Sequence, residues 1–434
     1  MISWLTARER WLPAVASLAW WTIFHPGFIG EDSIINLSEA RAGTISVVFT
    51  AWWVYVVDAL SLGTRNVPLL TLINVLMLEY AVYLWIITVF PQGRSRAITV
   101  LLIAVSPLVA ALGIQVRHDG AMAAGLFVCA IVLTRTWPDN SRFSAIDVTA
   151  LGLAAPLVAT RQNGAPTLLL TALLLLVLRK WRHAAAVAAV AAATVAIGFA
   201  AARAAGHSRT VEPVQAVESM MADISCLLAQ PGINPNYAEW ETLSRIASRT
   251  DWPQERACWF LNPIFRTPTF NSSALEKGYR EVGRVWLALG ARYPVEMAVA
   301  HAKRVRMFLP PLVTGLPRRW VENFLHSTIL PNDLGLAWKF PALAERARII
   351  VRGYNAFGLV LSHAGLWLMV LLLLAWRLPD YRGLMPTVVV AAALDIGLVV
   401  AAPLSEGRYG LFILICGQTA GIFFLARRMV RSAT

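Results

Sequence analysis

The sequence predicts an all-α polytopic membrane protein, with about ten transmembrane helices and a large, mainly helical extracytoplasmic loop. Three observations predict it. Hydrophobic residues make up 57% of the 434-residue chain and charged residues only 15%, more apolar surface than a soluble domain can hide. Several apolar runs approach the roughly 20 residues that cross a bilayer. Arg and Lys cluster at alternate ends of those runs, as short cytoplasmic loops require.

Arg8 and Arg10 precede the first span, about 11–29. It lacks a small-residue cleavage site and further spans follow it, so it reads as a span rather than a signal peptide. A first outer loop covers about 30–66. The second span, about 67–90, ends at Arg94 and Arg96. The third runs to about Gly113, and the fourth from about Gly120 to Arg135, with Arg142 beyond. The fifth rises to about Thr160, the sixth returns to Arg179, Lys180 and Arg182, and an Ala-rich seventh reaches about Ala205. A polar segment of about 206–352 carries amphipathic patterns and no clear span. The eighth span runs from about Tyr354 to Trp376 and Arg377. After the turn "RLPDYRG", the ninth rises to about Ala402 and the tenth descends to Arg427 and Arg428. The chain thus divides at about 1–205, 206–352 and 353–434 into a seven-span module, an extracytoplasmic loop and a three-span module. All the basic clusters fall on one face, which places both termini in the cytoplasm.

The formal net charge is +13. Positive-inside loops account for it, and with no base-stacking module or basic repeat, nucleic acid is not an expected partner. Cys129 and Cys416 lie in apolar spans as packing residues. Cys226 and Cys258 lie in the polar segment, where an extracytoplasmic setting permits a disulfide; the sequence leaves their pairing open.

The outer connections concentrate chemistry. They read "GEDSIINLSEARAG", "QVRHDG", "ATRQNG" and "PLSEGRYG", and each carries an Arg against the positive-inside trend. Asp32, Asp119 and Glu406 add the opposite charge. Ionisable groups at the ends of separate spans can converge on a site between helix ends. Each has a plainer role. Asp32 could cap the amphipathic helix that Gly43 ends, and Glu31 could favour its dipole. His118 and Asp119 could pair, Arg161 could snorkel to headgroups, and Arg408 could pair with Glu406. In the long segment, "YPVEMAVAHAKRVRMFLPPL" predicts a basic helix stopped by Pro310 and Pro311. It reads as a membrane-surface helix and as a clamp for a lipid-linked phosphate through His301 and Arg304.

The first-loop "GEDSIINLSEARAG", "QVRHDGAMAAG" entering the fourth span and "LVATRQNGAPTLLL" entering the sixth resemble a recurrent set. It is that of bacterial membrane glycosyltransferases of the GT-C class, which use polyprenyl-phosphate sugars. "MADISCLLA", "YPVEMAVAHAKR" and "SEGRYG" are similar to later segments of those proteins, so the resemblance runs from Gly30 to Gly410. It implies a GT-C-like fold and carries Glu31, Asp32, Arg117, His118, Asp119, Arg161, Gln162, Asn163, His301, Arg304, Glu406 and Arg408 into the site. Relatives often have an Asp followed by His-Pro later in the first outer loop, where this chain reads "ISVVFTAWW". No cofactor is therefore firmly implied by the resemblance, and a divalent cation is allowed near Glu31, Asp32 and Asp119.

The expected reaction moves a sugar from a polyprenyl-phosphate donor to a lipid or glycan acceptor at the outer face of the cytoplasmic membrane. Adjacent helical residues point about 100° apart, so Glu31 and Asp32 do not share one substrate. Asp32, one turn before Asn36, is the expected general base and Glu31 the second choice. Low-dielectric surroundings would raise its basicity towards neutrality. Arg161, Arg408, Arg304, Arg117 and His301 are the candidates to neutralise the leaving phosphate. The alternatives are a transporter or flippase of a lipid-linked glycan, and a non-catalytic GT-C relative. A transporter keeps polar residues at mid-span, and Asp395 and His363 are the ones noted there.

Overall fold

The computed structural model describes residues 8–45, 50–137, 142–208, 213–258, 263–311, 328–377, 379–401 and 410–432. The described chain is helical apart from turns and two isolated bridges. Every apolar run read as a span forms a helix, with differences in length and straightness that have local causes.

Helix α1 spans Leu12–Ile23 and stops short of the expected end. Pro26 has no N–H to donate, and Gly27 sits at φ +127°, so the chain leaves the helix there. Helix α2 is Glu31–Ala42, ended by Gly43 at φ 64° as the sequence predicts. Helix α3, Ala51–Leu60, falls inside the stretch read as loop. The Thr50 side chain accepts from Trp53 N at its start, and Trp53, Val54 and Val57 are buried on one face.

Among the described residues, four helices are long and apolar enough to cross a membrane: α4 (Val67–Val89), α7 (His118–Thr136), α10 (Trp181–Ala204) and α18 (Leu411–Ser432). Between α4 and α7 the third expected span is broken into α5 (Arg94–Ala104) and α6 (Pro107–Gly113), bent by 46°. Pro107 at the first turn forces the break, and the Ser106 hydroxyl accepts from Leu108 N to restart the helix. Shorter apolar helices complete the bundle: α8 (Ala145–Val158), α9 (Gly164–Val177), α16 (Ala364–Arg377) and α17 (Met385–Ala401). Helix α7 packs on α4 and α8, α9 on α10 and α17, and α16 on α18.

The polar segment contributes α11 (Pro213–Leu228), α12 (Tyr237–Ile246), α13 (Ser272–Arg292) and α14 (Pro294–Arg304), then α15 (Pro341–Ala356). Helices α11 to α14 enclose their own apolar cluster, including Met221, Ile224, Leu243, Trp252 and Leu289. Cys226 and Cys258 form a disulfide within it. Helix α14 ends at Arg304, six residues before Pro310. Tertiary packing ends it early: Val305 and Phe308 turn into the bundle core, and Met307 O accepts from Gly365 N at the head of α16. Helix α16 thereby starts ten residues after the expected Tyr354.

Candidate active site

After α1, Phe28 N donates to Ile114 O at 3.2 Å, and Ile29 N donates to Thr328 O at 3.1 Å. Residues 28–29 thus run between Gln115 and Ile329 as two parallel bridges. This fixes where α2 begins relative to α7. Gly30 takes the N-cap position of α2, and its N–H donates to Ser33 Oγ at 3.3 Å. Asp32 is therefore not the cap: it stands in the first turn, where the helix dipole favours negative charge.

Arg117 holds the equivalent N-cap position of α7 in extended backbone. Its Nη2 lies 3.4 Å from Asp32 Oδ2. The Arg117 side chain is 4% exposed and that of Asp32 24% exposed. Asp119, in the first turn of α7, is buried and paired with Arg161, from the turn between α8 and α9. Asp119 is thus paired with Arg161 and not with His118, and Arg161 turns inward instead of towards headgroups. The two turns are tied by Thr160 Oγ1, which donates to His118 O at 3.3 Å. Thr50 Oγ1 donates to Thr160 O at 2.7 Å and adds the start of α3. His118 stands edge-on to Trp53 at 6.3 Å between ring centroids. Gln162 Nε2 donates to Gln215 Oε1 at 2.5 Å, which brings α11 over the same end of the bundle. Asn163 is the N-cap residue of α9 and makes no capping bond.

The structure thus gathers Asp32, Arg117, His118, Asp119, Arg161, Gln162 and Asn163 at one end of the bundle. Glu31 opens α2 beside them on the exposed side. The two arginines each face a carboxylate, so the cluster is charge-balanced rather than a cationic cradle. Glu406 and Arg408 lie outside the described residues.

His301 and Arg304 belong to a second group. Asp223 of α11 accepts from Arg304 Nε at 2.7 Å, from His301 Nδ1 at 3.0 Å and from Trp286 Nε1 at 3.1 Å. Burial would raise the Asp223 carboxyl, but the His301 hydrogen bond and the Arg304 charge outweigh it and hold it below the ordinary carboxylate range. His301 Nε2 lies 2.8 Å from Val399 O, in the last turn of α17. The expected phosphate clamp is therefore a structural clasp joining α11, α14 and α17. Its centre, Asp223, was missed in the sequence. The signal for it is His301 and Arg304, spaced one turn apart on a helix that has to bury them, which calls for an anion opposite.

Among the described residues no group of three or more His, Cys, Asp or Glu stands arranged to hold a metal ion. Besides Asp395 and His363, a further mid-helix acid, Glu79 of α4, is 2% exposed.

No family model matches the chain, and no curated protein matches it. Among solved structures, the crystal structure of ArnT from Cupriavidus metallidurans bound to undecaprenyl phosphate aligns over 96% of this chain and 78% of its own. The identity is 16% and the TM-score 0.37. The chain's resemblance to the GT-C class stands on the motifs gathered at this end of the bundle.

Proposed function

We propose that the chain is an inverting membrane glycosyltransferase, active on the extracytoplasmic face with both termini in the cytoplasm. The donor is a polyprenyl-phosphate monosaccharide and the acceptor a lipid or cell-envelope glycan. Asp32 takes the proton from an acceptor hydroxyl. That oxygen bonds to the anomeric carbon while the carbon–oxygen bond to phosphate breaks, and polyprenyl phosphate leaves. Arg161, held against Asp119 in the turn between α8 and α9, meets the charge that grows on the phosphate oxygens. Arg117 positions Asp32. Arg304 and His301 leave this list, because Asp223 and Val399 O occupy them. The three-part division of the chain at about 205 and 352 fits this scheme, with the middle segment roofing the site.

The observation that carries the reading is the meeting of Asp32 with Arg117 and of Asp119 with Arg161 around the start of α7. Two partly desolvated acid–base pairs at helix starts suit a reaction that moves a proton and displaces an anion. Transfer from undecaprenyl-phosphate hexoses and pentoses to octyl glycosides tests it. Asp32→Asn abolishes turnover and keeps undecaprenyl phosphate bound; full turnover in that variant rejects Asp32 as the base. A cysteine placed at Asn234 should react with an impermeant thiol reagent in intact cells, and labelling only after lysis reverses the topology.

Glu79 and Asp395, buried in apolar helices, favour a second reading, movement of a lipid-linked glycan across the membrane. Proteoliposomes carrying fluorescent undecaprenyl-phosphate sugar separate the two, because a transporter moves the lipid even with Asn at position 32.

A further inference from the structure

Glu218 lies on α11 between the two groups described above. It is three residues, about 4.5 Å of helix rise, beyond Gln215, which holds Gln162 at the candidate site. It is five residues before Asp223, whose partner Arg304 acts on it electrostatically. It is one turn from Gln215 on the same helix face, so the contact that brings Gln215 to the bundle end brings Glu218 there too. The residue keeps part of its surface accessible, yet protein surrounds the carboxyl on most sides. Burial pushes it up to about 7, against the opposing pull of Arg304.

The other charges around α11 do not explain this acid. Arg304 and His301 of α14 are already joined to Asp223. Glu276, Lys277, Arg280, Glu281 and Arg284 of α13, and Glu255 of the turn after Trp252, are exposed. Among the described residues Glu218 has no ion-pair partner within salt-bridge distance, so it is a costly carboxyl at an accessible place in the roof of a site. A carboxylate repels phosphate and accepts hydrogen bonds from hydroxyls. Its chemistry selects the sugar end of a ligand over the phosphate end.

We propose that Glu218 is a second carboxylate of the transfer site, placed on α11 to accept a hydrogen bond from a hydroxyl of the incoming acceptor sugar. This rests on the glycosyl-transfer reading. It also supplies an acid from the roof, where the stretch "ISVVFTAWW" later in the first outer loop has none. The carboxylate form binds, so acceptor use rises as the pH passes through about 7.

Transfer from undecaprenyl-phosphate hexoses and pentoses to octyl glycosides is measured at saturating donor between about pH 5.5 and 8.5. Glu218→Gln should raise the acceptor KM at least tenfold, leave undecaprenyl phosphate binding unchanged and remove the rise near neutrality, while Glu218→Asp keeps that rise. An unchanged acceptor KM and pH profile in Glu218→Gln overturns the proposal. If that variant does not fold, the wild-type profile decides: an acceptor kcat/KM that is flat through neutrality overturns it as well. Absence of transfer by the wild-type protein sinks the glycosyl-transfer reading instead, so the two failures are distinct.

Discussion

Asp223 and Arg304 form a buried ion pair, Oδ1 to Nε 2.7 Å, with both side chains 1% exposed. A buried pair is weak evidence of net stabilisation, but removing one partner strands the other charge. Asp223→Ala is expected to destabilise the protein by about 3–5 kcal/mol, read from denaturant unfolding in detergent. The double change Asp223→Asn with Arg304→Met removes both charges and should recover most of that loss. A double variant no better than Asp223→Ala would mean that shape, and not the stranded charge, sets the cost.

The two acids of α11 have opposite pH signatures. Asp223 is held below its ordinary value. Its contribution is therefore full above the unfolded value, about 4, and is lost as the pH falls through the folded value. Wild-type stability should fall more steeply than that of Asp223→Asn below about pH 4. Glu218 has the opposite sign. Its folded form keeps the proton up to about 7, so wild-type stability falls as the pH rises from about 4.5 to 7 and then levels. Glu218→Gln should flatten that decline and exceed the wild type in stability at alkaline pH. Unfolding curves across this range check both.

Arg117 and Arg161 have different expected effects although both face carboxylates. Arg117 holds Asp32 at the start of α2, so Arg117→Ala should lower kcat by about a hundredfold and change donor affinity little. Arg161→Ala should weaken undecaprenyl phosphate binding itself. Single-turnover kinetics with a parallel binding measurement distinguishes the roles, and the reverse pattern would exchange them.

The bundle was legible where the sequence is one-dimensional. Long apolar runs such as Val67–Val89 and Leu411–Ser432 form helices because lipid and core demand internally bonded backbone. Helix α2 was legible because Gly43 marks its end. Helix α3 was not, since its run "WWVYVV" is aromatic and β-branched, and a lone Asp58 makes no polar face to set a helical period. The pairings were not legible either. Arg161 could snorkel to headgroups and Asp119 could pair with His118 until the turn after α8 was folded against α7. Arg304 read as a surface cation because its partner lies 81 residues away on another helix.

The disulfide joins α11 to the turn after Trp252 across 32 residues of chain. Closing a loop of that length restricts the unfolded chain and is worth about 3–4 kcal/mol. Cys226→Ala with Cys258→Ala should lower the stability of the roof segment by that order. Mild reduction of the wild type should do the same without disturbing Cys129 and Cys416, which are buried. Limited proteolysis of residues 213–304 before and after reduction reads the effect. Equal cleavage in both states would show that the apolar cluster of this segment holds alone.

Gly27 links backbone geometry to the candidate chemistry. At φ +127° any side chain is strained, and a Cβ there would stand 2.3 Å from Ile114 O and 2.8 Å from Thr71 Cγ2. The contact with Ile114 is with backbone, which cannot swing aside as a flexible side chain does. Gly27→Ala is therefore expected to cost more than about 2 kcal/mol. The damage has a direction. Phe28 N bonds Ile114 O, so pushing residue 27 away from Ile114 pulls at the bridge that sets α2 beside Arg117. A displacement of about 1 Å in a positioning element can lower a rate about a hundredfold. Gly27→Ala should thus lose transfer activity at temperatures where it remains folded, with undecaprenyl phosphate still bound. Lost stability with full activity in the surviving folded protein would show that Asp32 does not depend on this backbone contact.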